Sequence, residues 1–141
     1  VMLKVNHGES PRKAANDWIR ENRQQVDSWT KGIKHVHGQS IKLTYVAWDS
    51  EIASTNVVAN VLLSLGYKVT IQAMELQPMW TSIATKAADG TVSAWLPNTQ
   101  GLYYNDFKGR FDDLGTNLNG AKVGLAVPTY MKNVNSIEDL K

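Results

Sequence analysis

The feature that most constrains the fold is a regular alternation of strand-like and helix-like segments over most of the chain. Short runs rich in Ile, Val, Leu and Tyr alternate with stretches in which apolar residues recur at helical spacing. The predicted strands are 41–47, 67–73 and 91–95, and the predicted helices are 51–65 and 78–87. Such a βαβαβ unit normally builds a parallel sheet with right-handed crossovers and helices on both faces. We therefore predict an α/β fold with a mostly parallel sheet of strand order 2-1-3.

Regular structure is also predicted outside this unit. A Ser-Pro pair is typical of a helix start, and it predicts an amphipathic helix over 10–31. Residues 32–40 have no clear period and carry a Gly near each end, which indicates a linker. Towards the other end of the chain, residues 123–127 are predicted to form a further buried strand, and Ser136 is predicted to cap a final helix.

Composition narrows the classes of function. A length of 141 residues suits one compact domain, and the lack of cysteine excludes disulfides, a thiolate nucleophile and cysteine metal ligands. A balance of 15 Lys and Arg against 13 Asp and Glu is too even to predict a nucleic-acid partner. Neither a glycine-rich phosphate loop nor a Gly-x-Ser-x-Gly motif follows a strand, which argues against nucleotide or flavin cofactors and against a hydrolase. His35 and His37 lack a clear acidic third ligand, so we predict no metal site.

Two tryptophans lie where an open parallel sheet usually binds its ligand, beyond the carboxyl ends of the strands. Trp48 directly follows the first predicted strand and Trp95 ends the third, so a 2-1-3 order places them side by side. An indole face attracts cations, above all quaternary ammonium groups. The alternative, that both are large core residues closing the sheet, stays open. The remaining tryptophans lie on apolar helix faces and are predicted to be packing residues: Trp18, Trp29 and Trp80.

Several segments resemble the glycine-betaine-binding proteins of osmoprotectant ABC importers, the OpuAC type. The similar segments are 26–32, 45–57, 78–81, 93–99 and 130–141. The resemblance covers essentially all 141 residues in one register. It implies one lobe of a two-lobed, periplasmic-binding-protein-like fold. It also implies a protein that is not an enzyme and that delivers betaine-type compatible solutes to an ABC importer for osmoprotection.

The resemblance also implies particular ligand contacts. The family binds the trimethylammonium group in a cage of three tryptophans, and Trp48 and Trp95 match two of them. The third tryptophan, and the backbone amides that hold the ligand's carboxylate, belong to the other lobe. A family histidine that helps to bind the carboxylate aligns with Gln100. Gln100 is therefore expected to contact the ligand and to alter affinity or ligand preference, because glutamine donates a hydrogen bond without carrying charge. Secondary contacts are expected from Asp49, Ser50, Asn98 and Thr99.

The resemblance further implies how the chain is divided. Its parts are the helical end of a first lobe (1–31), a hinge (32–40), the ligand-binding lobe (41–130) and a crossover tail (131–141). The chain would then carry one half of the binding site.

The expected partners are glycine betaine or proline betaine, the transmembrane subunit of an ABC importer and the first lobe of the same protein. The helix 10–31 is expected to dock outside this lobe, as in a domain-swapped homodimer. The expected location is the extracellular face of the membrane, with a lipid anchor or a fusion to the transporter.

Two alternatives stay open at this point. One is a small α/β enzyme that uses the same crevice with Asp49 or Glu51 as acid or base, although the sequence offers no clear pair of titratable groups. The other is a choline- or carnitine-binding relative, which is the same class of protein with a different solute. A distance between Trp48 and Trp95 greater than their side chains can span would exclude the betaine site.

Overall fold

A computed structural model describes residues 9–140 as a short parallel sheet with helices around it. The helices are α1 (Pro11–Glu21), α2 (Arg23–Thr30), α3 (Asp49–Ser64), α4 (Leu76–Ala84) and α5 (Gly101–Asp106). The strands are β1 (Ser40–Tyr45) and β2 (Lys68–Ala73), and a single 3₁₀ turn spans Ile137–Asp139. The first two predicted strands and the two predicted helices of the βαβαβ unit are therefore confirmed, with shifts of a few residues at their ends.

β1 and β2 are parallel neighbours, as the alternating pattern predicts. Ser40 pairs with Lys68 and Tyr45 pairs with Ala73, so the two strands match over their whole length. α3 connects the strands and packs against both of them. Because parallel strands run in the same direction, the carboxyl ends of β1 and β2 lie at the same edge of the sheet.

The third strand predicted over 91–95 is wrong, because these residues form no strand and a single bridge at Gly90 is all that pairs with β1 on this side. Gly90 pairs in parallel with Leu43 of β1, and the Thr44 amide donates to the Gly90 carbonyl at 2.9 Å. Leu43 also pairs with Ile71 of β2, so Gly90 lies on the opposite edge of β1 and the order 2-1-3 holds at this point. After Gly90 the polar groups of the backbone find side-chain partners instead of β1, so no ladder continues.

The prediction of a further buried strand over 123–127 is wrong. The segment forms no strand, and Leu125 at its centre is 84% exposed. A strand needs a neighbour for its backbone hydrogen bonds, and neither described strand pairs with these residues. The capping residue predicted after this segment is confirmed, because Ser136 and Asp139 form a capping box around the final 3₁₀ turn.

The helix predicted over 10–31 is divided into α1 and α2 at Asn22. The side chain and the backbone amide of Asn22 both donate to the Trp18 carbonyl, which ends α1. Trp18 then stacks on Trp29 of α2, with ring centroids 5.9 Å apart. Trp29 remains 46% exposed, so its predicted role as a packing residue of the core is wrong. α1 packs against α3, which gives this helix a partner within its own chain.

The linker residues 32–40 are held against the end of α3. The Val36 amide donates to the Leu65 carbonyl at 2.9 Å, and the Gly38 amide donates to the Gly66 carbonyl at 3.0 Å. Gly66 has a φ of 94°, and a Cβ at this position would collide with the Val36 carbonyl oxygen. A glycine is therefore required where the linker crosses the start of the turn into β2.

An aromatic cluster connects the end of β1 to α4 and α5. Val46, Met79 and Trp80 are buried at its centre, so the predicted packing role of Trp80 is confirmed. Tyr104 and Phe111 pack against Trp80, with ring centroids at 6.2 and 5.3 Å. α5 is not among the predicted helices, and its aromatic side chains contact this cluster. The cluster fixes the loop that leaves β1 relative to α4.

Candidate ligand-binding site

Trp48 lies where the chain passes from β1 into α3. Val46 is buried in the aromatic cluster, and the Trp48 amide donates to the Val46 carbonyl at 2.7 Å. Trp48 is also the N-cap residue of α3, and its carbonyl accepts from the Ile52 amide at 2.9 Å. The backbone on both sides of this indole is therefore held by regular structure.

Trp95 lies on an exposed turn after the third-strand bridge. Residues 94–99 are all exposed, and the Gln100 amide closes the turn by donating to the Trp95 carbonyl at 2.9 Å. Ser93, just before the turn, is buried, and its hydroxyl lies 2.7 Å from the hydroxyl of Ser54 on α3. α3 therefore begins directly after Trp48 and also contacts the segment that carries Trp95.

The two indole rings are neighbours. Their centroids lie 5.1 Å apart and their planes are inclined by 59°. This tilt differs from a stack, in which each ring covers the face of the other. Trp95 is 41% exposed and Trp48 is half-buried, so neither ring is sealed inside the core. The structure therefore brings together the two tryptophans that the strand order placed side by side, and it leaves aromatic surface accessible to a cation.

The four predicted secondary contacts lie in the same two segments as the tryptophans. Asp49 and Ser50 are exposed in the first turn of α3, and Asn98 and Thr99 are exposed in the turn that follows Trp95. Together they offer hydroxyl, amide and carboxylate groups but no positive charge. Asp49 brings the one charge among them, and the other three side chains can donate as well as accept hydrogen bonds.

Gln100 does not lie where the resemblance led us to expect it. Its side chain is fully buried, with 0% exposure. Its Nε2 donates to Glu51 Oε1 at 3.1 Å and to the Ser93 carbonyl at 3.4 Å, while its Oε1 accepts from Trp80 Nε1 at 3.0 Å. The nitrogen and the oxygen of this amide are thus both engaged by the protein. In this structure Gln100 is part of the interior, and its direct contact with a ligand, which the resemblance implies, stays a prediction.

Glu51 is the interior partner that sequence reasoning missed. It is fully buried, and its Oε2 accepts from the Val46 amide at 2.8 Å. Burial raises the pKa of Glu51, while the hydrogen bonds from Val46 and Gln100 favour the ionised form and oppose this shift. The signal was present in the sequence, because a Glu three residues after a helix N-cap commonly reaches back to a preceding amide.

The position of Glu51 also bears on the enzyme alternative. A carboxylate that is buried and bonded on both oxygens has no access to a solute in the crevice. Of the two acids named for that alternative, only Asp49 is exposed. A proton-transfer site normally has a second, oriented group beside such an acid.

Within residues 9–140, no three His, Asp or Glu side chains are grouped as metal ligands would be. His35 and His37 are exposed in the linker. Among the helices of this same part of the chain, none is long and apolar enough to cross a membrane.

The fold matches a solved structure. The crystal structure of lactococcal OpuAC, in its closed, liganded conformation with glycine betaine, matches with a TM-score of 0.68 and 46% sequence identity. The match covers 72% of this chain and 39% of that chain. The fold class is therefore the predicted one, an α/β lobe of the two-lobed periplasmic-binding-protein type.

The family follows from the sequence comparisons. Residues 39–141 match OpuAC, the substrate-binding domain of ABC-type glycine betaine transport systems, and the chain belongs to this family. A glycine betaine/carnitine transport binding protein of Listeria monocytogenes, GbuC, is 67% identical over 141 residues, which are 100% of this chain and 47% of that protein. The uncharacterized protein ORF1 of Chromohalobacter salexigens is 29% identical over 105 residues, which are 72% of this chain and 67% of that protein. The chain thus spans about half the length of its Listeria relative.

Proposed function

We propose that this chain forms part of a protein that binds glycine betaine and related quaternary-ammonium solutes. The observation that carries the proposal is the Trp48–Trp95 pair, with ring centroids 5.1 Å apart, on a lobe of this family. A trimethylammonium group has no hydrogen to donate, so its recognition depends on attraction to aromatic faces and on apolar contact. Two tilted, accessible indoles provide both within the reach of one such group.

The same reasoning suggests that the chain supplies one half of the site. The ligand's carboxylate is held most strongly by charge-assisted hydrogen bonds, and the side chains next to the tryptophans offer only neutral hydroxyl and amide donors and no positive charge. Gln100 is engaged inside the protein. A third tryptophan and the carboxylate contacts would then come from another lobe, as the family resemblance implies. The length of the Listeria relative, of which this chain covers 47%, leaves room for such a lobe.

In the whole protein, the bound solute would be delivered to the transmembrane subunit of an ABC importer and would protect the cell against osmotic stress. The family description and the name of the Listeria relative both refer to transport, which supports this part of the proposal. The protein would act at the extracellular face of the membrane, held there by a lipid anchor or by fusion to the transporter.

The division of the chain follows the same scheme. Residues 41–130 would form the ligand-binding lobe, 32–40 the hinge, 1–31 the end of the first lobe and 131–141 the crossover tail. In a domain-swapped homodimer, α1 of one copy would pack against α3 of the other copy, because swapping preserves the contacts of the exchanged element.

Alanine substitutions of the two tryptophans test the ligand site. Trp48→Ala or Trp95→Ala in the intact protein should each weaken glycine betaine binding by about 0.5–2 kcal/mol, which is a few-fold to about thirtyfold in affinity. Calorimetric titration measures this change. Trp29→Ala is the matched control, because that indole is also exposed but lies on α2 and stacks on Trp18. Wild-type affinity in both site variants would reject the aromatic site.

A second candidate function differs only in the solute. The Listeria relative is named for glycine betaine and carnitine, so a carnitine-binding protein of the same class is the specific alternative. Tryptophan fluorescence of the intact protein, titrated with glycine betaine, proline betaine, choline and carnitine, ranks the four ligands. Tightest binding of carnitine or choline would favour the alternative over the betaine proposal.

A further inference from the structure

The interior of the protein contains a charged side chain whose burial needs an explanation. Glu51 is the one charged side chain that is buried within residues 9–140, and Gln100 beside it is buried to the same extent. Removing a carboxylate from water is costly unless hydrogen bonds compensate for the lost hydration. Neither side chain is accessible to solvent in this structure. Their hydrogen bonds instead connect parts of the protein.

The two side chains form a bridge with one end on each tryptophan segment. At one end, Glu51 Oε2 accepts at 2.8 Å from the amide two residues before Trp48. At the other end, Gln100 Nε2 donates at 3.4 Å to the carbonyl two residues before Trp95, and the Gln100 backbone amide donates to the Trp95 carbonyl. In the middle, Gln100 Nε2 and Glu51 Oε1 are 3.1 Å apart.

We propose that Glu51 and Gln100 are positioning residues that set the distance and angle between the indoles of Trp48 and Trp95. The inference rests on the proposed betaine site and adds how that site is kept in place before a ligand arrives. Trp95 lies on an exposed turn that no strand ladder supports, so its position depends on hydrogen bonds other than those of a sheet, including side-chain links to α3. The bridge provides such a link, and the Ser54–Ser93 hydroxyl contact provides another.

The direction of the Gln100 amide is fixed by Trp80. Trp80 Nε1 is a donor only, so the Gln100 atom that faces it at 3.0 Å is the acceptor oxygen. The amide nitrogen must then face Glu51, which as a carboxylate accepts on both oxygens. A donor and an acceptor are thus both needed at position 100. A carboxylate there would face Glu51 with a like charge, and an apolar side chain would leave Glu51 and Trp80 without partners.

The experiment uses the intact protein with Trp29→Phe as background, which removes the other close tryptophan pair, Trp18 and Trp29. In this background, circular dichroism without ligand records the exciton couplet between the indoles of Trp48 and Trp95. Trp95→Phe should abolish this couplet, which identifies its source. Gln100→Leu and Gln100→Glu are expected to change or remove the couplet and to weaken glycine betaine binding by about tenfold or more. Glu51→Gln keeps one accepting oxygen and should give a smaller change in the same direction. Glu51→Gln also allows the positioning role to be tested if the two Gln100 variants do not fold.

Ser82→Ala is the matched control for loss of a buried hydrogen bond. The Ser82 hydroxyl is buried and donates to the Met79 carbonyl at 2.7 Å within α4, without contact to either tryptophan segment. This variant should lose stability in urea unfolding while keeping both the couplet and the affinity. An unchanged couplet in folded Gln100→Leu and Glu51→Gln would overturn the positioning role.

A double variant separates positioning from direct ligand contact. If Gln100 acts through the indole pair, Gln100→Leu should have little further effect on affinity once Trp95→Ala has removed that pair. If Gln100 touches the ligand's carboxylate, its effect should persist in full, and the inference is wrong. Because the couplet is measured without ligand, it tests the positioning role separately from the betaine proposal. Unchanged affinity in Trp95→Ala would reject the betaine proposal, and the couplet would still test the positioning role.

Discussion

At the residue scale, Glu51 shows how a charge is kept inside the protein. Desolvation has the largest influence on its carboxyl group and raises the pKa from the usual 4.5, while the hydrogen bonds from Val46 and Gln100 act in the opposite direction. The ionised form is therefore held in place by well-directed donors, although its burial costs free energy. The same donors belong to the segments that carry Trp48 and Trp95, so the cost is linked to the geometry of the site.

Glu51→Gln should make the stability of the intact protein less dependent on pH. Because the pKa of Glu51 is raised in the folded state, the folded protein binds more protons than the unfolded chain at pH values just above 4.5. The stability contributed by this group is fully present below that value and is lost as pH rises through the folded pKa. The loss is about 1.4 kcal/mol for each pH unit between the two pKa values. Urea unfolding of both proteins from acidic to neutral pH measures the difference in slope.

Other carboxyl groups with shifted pKa values contribute equally to the pH profiles of both proteins. Hydrogen bonds lower the pKa of Asp17 and of Asp139, so these groups act in the opposite direction, but they are present in both proteins. Their contributions cancel in the difference between the two curves. Parallel pH profiles of wild type and Glu51→Gln would mean that the folded state does not raise the pKa of this carboxyl group.

At the element scale, α3 is the helix that contacts α1, both strands and both tryptophan segments. It begins at Trp48 and carries Glu51 and Ser54, which contact the two tryptophan segments from one side. α1 packs against it, and both strands lie against it. At its end, Gly66 allows the linker to approach so closely that its Val36 carbonyl occupies the place of a side chain. A disturbance of α3 is therefore expected to reach the site.

Alanine substitution of two glycines separates backbone strain from this close approach. Gly66→Ala should destabilise the intact protein by about 3 kcal/mol, at the upper end for a single substitution, because it adds a collision to an unfavourable φ. Gly32→Ala is the matched control: its φ is 82°, but no atom lies within 4 Å of the added Cβ, so the cost should be about 1 kcal/mol. Urea unfolding compares the two. Equal losses would show that the linker does not lie against Gly66.

At the scale of the whole molecule, apolar side chains are unevenly buried. The aromatic cluster around Trp80 has a buried centre, whereas large apolar side chains beyond α5 are exposed, among them Leu114, Leu125 and Tyr130. Such side chains become buried only where a further apolar surface covers them. The uneven burial agrees with the proposal that a second lobe completes the binding site.

The 141-residue chain by itself should bind glycine betaine much more weakly than the intact protein. A third aromatic ring adds about 0.5–2 kcal/mol and a hydrogen bond to a charged carboxylate adds about 1.5–3 kcal/mol, so we expect a difference in affinity of about thirtyfold to a few thousandfold. Calorimetric titration of both proteins in the same buffer measures it, with circular dichroism to verify that the chain is folded. Trp95→Ala in the short chain should remove the remaining binding. Tight binding by the short chain would contradict the half-site proposal.

The features that the sequence alone determined are those governed by local periodicity and by strand direction. Apolar spacing located β1, α3 and β2, because a helix and a strand place buried side chains at different intervals. The predicted strand order 2-1-3 was enough to place Trp48 and Trp95 side by side, although the third strand is replaced by a single bridge at Gly90.

Tertiary packing decided the rest. An apolar run such as 123–127 becomes a strand only if a neighbour offers backbone partners, and Trp29 becomes a core residue only if something covers it. Gln100 carries the same amide in either role, and only the presence of Trp80 and Glu51 on either side directs it inward. A local pattern specifies what a segment is able to form, whereas hydrogen-bond partners and burial come from residues distant in the chain.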